Sequence, residues 1–248
     1  MANWRDTGWG AVVMAIWALA LVPAVVLAIL LAAPFMGRRA FFTFGPMYAR
    51  GIAWFCRIPF TLAGWERLPA AVREGRQPVI FMSNHESQLD PPILIGALPV
   101  PAVYIAKKEL KFVPFIGWAA WVAGAIFIDR RDRERAIRSI HAAAQEIRGG
   151  KSVVIFPEGT RSRTGAMLPF KKGGFALALD AGVAIVPMAT VGGHQVLPPG
   201  SLRLHPGRYQ VVVGEPVDPA SLPDREALMA EVRHRIEGLM TEARGLPA

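Results

Sequence analysis

The chain has 248 residues, 52% of them hydrophobic, and 28 Lys and Arg against 19 Asp and Glu give a formal net charge of +9. That length supports one substantial core with an appended segment and argues against two independent domains. The single cysteine, Cys56, excludes an internal disulfide. The positive charge suits lipid headgroups, acidic carrier proteins or phosphorylated substrates, and no nucleic-acid motif is present.

The apolar excess sits mostly in the first sixty or so residues. Thr7 to Gly37 carries no charge, and a bilayer span needs about 20 apolar residues. A cleaved signal peptide fits less well: its apolar region runs about 7–15 residues behind a positive start, whereas Arg5 is offset by Asp6. If the run crosses a bilayer, Arg38-Arg39 behind it places the following chain in the cytoplasm. Pro23 allows a kink, or the turn of a hairpin that enters and leaves one leaflet. Phe41 to Trp65, with Arg50 and Arg57 at spaced positions, resembles an interfacial helix more than a second span. We expect residues 1–58 to form a membrane-anchoring helical segment and residues 59–248 an α/β domain. Cys56, in the apolar stretch Trp54-Phe55-Cys56, reads as a small buried residue.

Beyond Pro59 short β-rich runs alternate with helical patterns. Expected strands are Phe60–Ala63, Val79–Met82, Ala102–Ala106, Ala125–Ile128, Ser152–Phe156, Val183–Met188 and Tyr209–Val213. Expected helices are Pro91–Leu98, Pro114–Val122, Glu134–Arg148, Gly174–Ala181 and Ala220–Arg244. The alternation predicts an α/β layer fold with a mostly parallel sheet flanked by helices. In Glu134–Arg148, Ile137, Ile140, Ala144 and Ile147 share one face at helical spacing. Phe112–Ile128, with Trp118 and Trp121, reads either as ordinary core or as the wall of an acyl-chain tunnel.

Two loops carry candidate chemistry. Ser83-Asn84-His85-Glu86-Ser87-Gln88-Leu89-Asp90-Pro91-Pro92 follows a strand and opens a helix. Asp90 before Pro91 reads as an N-cap. A carboxylate there can fix the tautomer of His85 and leave the other ring nitrogen free to take a hydroxyl proton. On spacing alone, a loop histidine beside a helix cap is the better reading, because a His/Asp pair five residues apart is a weak signal by itself. The second loop, Phe156-Pro157-Glu158-Gly159-Thr160-Arg161-Ser162-Arg163, also follows a strand, at the sheet edge where open α/β folds bind ligands. Gly159 permits a tight turn, Thr160 offers a hydroxyl and Arg161 offers a planar fork suited to phosphate. Arg163 reads as a solvated basic residue. Gly149-Gly150-Lys151-Ser152 is not a phosphate-binding P-loop, because Gln145 stands where that motif needs glycine. No G-x-S-x-G elbow occurs. His141 reads as a helix residue, and His194, His205 and His234 as surface or loop residues without ligand spacing.

Together these residues resemble the glycerolipid acyltransferase family, and most of all its bacterial 1-acyl-glycerol-3-phosphate acyltransferases. NHESQLD is similar to the family's first motif and FPEGTRSR to its third. Lys107 through Pro114 with Gly124 through Arg130 resembles the second, and Val186-Pro187, at a strand's end, the fourth. Leu168 through Gly173 resembles the stretch after the third. The resemblance implies that His85 is the general base and Asp90 its orienting partner. It also implies that Glu158, Gly159, Thr160 and Arg161, helped by Arg130 and Lys107, bind or position a phosphorylated acceptor. It implies no metal, no other cofactor and no acyl-enzyme. The acyl donor would be acyl-coenzyme A or acyl carrier protein, the acceptor a lysophospholipid, and the product phosphatidic acid. The place would be the cytoplasmic side of the bacterial inner membrane. Another lysolipid or glycerol-3-phosphate is the alternative acceptor, and a non-catalytic binder of anionic lipids the alternative class.

Overall fold

The computed structural model describes residues 22–56, 58–129, 132–201, 203–205 and 207–246. Seven strands form one sheet: β1 (Phe60–Ala63), β2 (Ile80–Ser83), β3 (Ala102–Lys107), β4 (Ile126–Ile128), β5 (Ser152–Ile155), β6 (Ile185–Val191) and β7 (Tyr209–Val213), in the order β1-β7-β6-β2-β5-β3-β4. β6, β2, β5, β3 and β4 are parallel. β7 runs antiparallel to β6 and parallel to β1. The expected α/β architecture is therefore present.

Helical segments cover both faces, as a largely parallel sheet requires. They are α1 (Val22–Met36), α2 (Arg39–Phe55), α3 (Ala70–Arg73), α4 (Asp90–Ala97), α5 (Ile116–Ala123), α6 (Arg133–Arg148), α7 (Lys172–Ala181), α8 (Gly193–Val196) and α9 (Arg225–Gly245). Strand side chains alternate between two cores. Phe81, Val154, Val186 and Val211 pack with α2 and α4. Ile80, Val153, Ile185 and Val212 pack with α6, α7 and α9. Asp132 caps α6 by accepting from Arg135 N, and Asp224 caps α9 by accepting from Ala227 N.

Several expectations change. Asp90 is the first residue of α4 and not its N-cap; its carboxylate turns back onto the preceding loop. Val186-Pro187 lies inside β6 and not at its end. The strand tolerates Pro187 because Ile185 N–H bonds Val217 O, so the ring nitrogen two residues on faces the same side, where the neighbouring chain leaves the ladder between Gly214 and Val217. The last helix begins at Arg225, because Pro219–Ser221 forms a separate 3-10 turn. Ala144 and Ile147 are buried in α6, whereas Ile137 is exposed.

At the amino end, α1 and α2 pack against each other and turn at Gly37-Arg38; Pro23 stands at the start of α1, and the chain before Val22, where a kink or hairpin at Pro23 is expected, lies outside the described residues. Arg50 Nε donates to Gly96 O at 2.8 Å and fastens α2 to α4. Much of Thr7–Gly37, and Arg57 in the second stretch, lie outside the described residues. Among the described residues no helix is long and apolar enough to cross a membrane. Trp118 and Trp121 of α5 are exposed and so belong to no core. A cavity of about 250 Å³ opens elsewhere, between α2 and α4, and Tyr104 forms part of its wall.

Candidate active site

The carboxyl ends of β2, β5 and β3 lie on one edge of the sheet, because the three strands are adjacent and parallel. β2 leads to His85, β5 to Phe156 through Arg161, and β3 ends at Lys107. Asn84 holds the first loop to its neighbour. Its side-chain amide donates to Thr190 O, and its Oδ1 accepts from Thr190 N, both at 2.8 Å. A side chain thus continues the β2–β6 pairing beyond Ser83.

His85 Nδ1 lies 2.6 Å from Asp90 Oδ2. The same oxygen accepts from Glu86 N at 2.7 Å and Ser87 N at 2.9 Å, and Asp90 Oδ1 accepts from the Tyr209 hydroxyl. Asp90 is wholly buried, and four hydrogen bonds replace the water it gave up. As acceptor of all four, the carboxylate makes Nδ1 the donor and leaves Nε2 with a free lone pair. The imidazole stacks on Phe156 with ring centres 4.0 Å apart, and 16% of the His85 side chain remains exposed. The pair is thus a shielded but reachable base with a fixed tautomer.

Glu158 ties the two loops together. Its Oε1 accepts from His85 N at 2.8 Å and its Oε2 from Leu168 N at 2.7 Å. Ser162 N donates to His85 O at 2.8 Å, completing a reciprocal link. Burial pushes the Glu158 carboxyl above the ordinary range, and the two amide bonds pull it back in part. Gly159 sits at φ 71, a conformation side chains resist, so the turn that returns the chain toward the site calls for glycine. Lys171 N donates to Pro157 O at 2.7 Å, folding the Leu168–Gly173 stretch back onto this turn.

Arg161 is half-buried, and its Nη1 is buried without a hydrogen-bond partner among the described residues. Its guanidinium thus keeps a donor that none of the described residues uses. Thr160, Arg163 and Lys107 are exposed. Arg130 lies outside the described residues; next to it, buried Asp129 accepts from Lys108 Nζ at 3.2 Å. Among the described residues no group of three or more His, Cys, Asp or Glu is placed to hold a metal ion.

Glu86 carries no role in the sequence reading, yet it is 4% exposed and lies directly behind His85 in the chain. Its Oε1 accepts from His194 N at 3.2 Å, and Gly193 N adds a second bond. His194 is therefore part of the wall behind the site, not a free loop residue. Burial, reinforced by Asp90, pushes the Glu86 carboxyl up to about 7. Between about 4.5 and 7 the folded chain keeps a proton that the unfolded chain releases, so this group lowers stability as pH rises through that window. Over the whole shift the loss is about 3 kcal/mol. Glu86→Gln keeps the carbonyl acceptor and removes the titration. Its unfolding temperature, compared with that of wild type, should gain progressively from pH 4.5 to 7. A constant difference across that range would contradict the assignment.

Residues 60–191, more than half of the chain, match the family model described as Acyltransferase. The chain belongs to the acyltransferase family. Among its relatives, 1-acyl-sn-glycerol-3-phosphate acyltransferase alpha of Ovis aries is 40% identical over 176 residues, covering 68% of this chain and 61% of the relative. The 1-acyl-sn-glycerol-3-phosphate acyltransferase of Limnanthes douglasii is 34% identical over 195 residues, covering 77% and 67%. This family member thus spans about three fifths of the length of several such relatives. The crystal structure of the 1-acyl-sn-glycerophosphate acyltransferase PlsC from Thermotoga maritima shares its fold, with a TM-score of 0.82, 23% identity and 96% of both chains covered.

Proposed function

We propose that the protein transfers a fatty-acyl group from acyl-coenzyme A or acyl carrier protein to the sn-2 hydroxyl of 1-acyl-sn-glycerol-3-phosphate, giving phosphatidic acid. The observation that carries this reading is the pairing of an oriented base with an unpartnered, buried guanidinium atom on one sheet edge. His85 Nε2 takes the hydroxyl proton as the oxygen attacks the thioester carbonyl. The tetrahedral intermediate expels the thiolate, a good leaving group near neutral pH, and the imidazolium returns the proton to it. The protein needs no metal or other cofactor for this, because the thioester already supplies an activated acyl group. The relatives' names support the acceptor.

In this reading Arg161 holds the acceptor phosphate, with Arg130, Lys107 and the Thr160 hydroxyl beside it. Gly159 sets the turn that aims Arg161, and Glu158 positions the loop. The α2–α4 cavity, whose wall includes the Tyr104 that stacks on Phe156 beside His85, receives part of an acyl chain in this reading. Residues 1–58 form the anchor and 59–248 the acyltransferase domain, on the cytoplasmic side of a bacterial inner membrane. Phe35 is 90% exposed, and Leu31, Phe112 and Trp121 are exposed with it, around the packed α1 and α5. Tryptophan favours the lipid interface, and exposed Lys107, Lys108 and Lys111 suit anionic headgroups.

Acceptor competition tests the assignment. Arg161→Ala should raise KM for 1-acyl-glycerol-3-phosphate about a hundredfold while changing KM for the acyl donor little. Steady-state kinetics with a phosphate-free monoacylglycerol as competing acceptor should show the preference for phosphate shrinking by the same factor. An unchanged KM would remove Arg161 from the phosphate site, and wild-type preference for glycerol-3-phosphate would replace the lysolipid acceptor.

A further inference from the structure

The antiparallel β7 brings its first residue to the edge of the sheet that carries the site, since Val191 of β6 pairs with Gln210. That first residue is Tyr209. It is fully buried, its N–H donates to Pro59 O at 2.9 Å, and its hydroxyl donates to Asp90 Oδ1, 119 residues away in sequence. A steric observation points to the same contact. A Cβ added at Gly193 would stand 2.0 Å from the Tyr209 hydroxyl oxygen and 2.8 Å from Ser87 Cβ. One at Gly192, whose φ is +101, would stand 1.8 Å from Arg208 O. The link between β6 and α8 therefore lacks side chains where the tyrosine passes it.

We propose that Tyr209 is a positioning residue for acyl transfer, acting through Asp90 to fix the carboxylate and so to aim His85. The inference rests on the functional reading above. The bonds to Oδ2 alone allow the carboxylate to pivot about that oxygen. A donor on Oδ1 leaves it one orientation, with Oδ2 in line with His85 Nδ1. Without the hydroxyl the carboxylate can turn, and His85 is worse aimed.

Tyr209→Phe removes only that oxygen. Its kcat should fall about tenfold, with KM for donor and acceptor unchanged. Because the effect passes through Asp90, Tyr209→Phe added to Asp90→Asn should cost nothing further in single-turnover assays. A lowered unfolding temperature with a raised KM for donor or acceptor would make the hydroxyl a packing group and overturn the proposal, as would a full tenfold loss in the Asn background. Wild-type kinetics in Tyr209→Phe would sink this inference alone. Absence of transfer by wild-type protein would sink the functional reading and this inference with it.

Discussion

His85→Ala lowers kcat for acyl transfer by about 10³-fold, within the range a positioned general base supplies. KM for both substrates changes little, because the imidazole acts on the hydroxyl proton as the transition state forms. The substitution also removes the ring stacked on Phe156 and leaves Asp90 Oδ2 with its two backbone donors, Glu86 N and Ser87 N. The loop therefore keeps its brace, and the unfolding temperature of the variant in detergent stays within a few degrees of wild type. Turnover within tenfold of wild type would contradict the base assignment.

Glu158→Ala has the larger structural effect. Its carboxylate is 1% exposed and joins His85 N to Leu168 N. Truncation strands two amides, each at about 1–3 kcal/mol, so stability falls by about 3 kcal/mol and the unfolding midpoint by about 10 °C. Activity falls with it, since the His85 backbone loses its tie to the second loop. Glu158→Gln keeps one acceptor oxygen and should lie between the two. Thermal melts and turnover on the same preparations check this, and a Gln variant as damaged as Ala would show that the charge, and not the bridge, matters at this position.

Local pattern carries much of this fold. β1 and β7 are bounded as their β-rich runs imply, and the parallel order follows from strands alternating with amphipathic helices. His85 and Asp90 were legible because chain-local spacing and motif order carry them. Contacts between distant segments were not. Tyr209 reads as an ordinary strand residue until the antiparallel β7 brings it to Asp90. Asn84 and Glu86 look like spacers of a motif, yet their partners Thr190 and His194 lie more than a hundred residues on. Trp118 and Trp121 illustrate the opposite failure, because apolar residues at helical spacing say which face is apolar and not what covers it.

The central claim is direct transfer to the lysolipid hydroxyl, and one assay addresses it. Purified full-length protein, in lipid or detergent, is given labelled 1-oleoyl-glycerol-3-phosphate with acyl-coenzyme A or acyl carrier protein. Its intact mass is recorded after exposure to donor alone. The account predicts labelled phosphatidic acid and an unacylated protein. An acylated protein would contradict direct transfer, and no phosphatidic acid with either donor would contradict the assigned reaction.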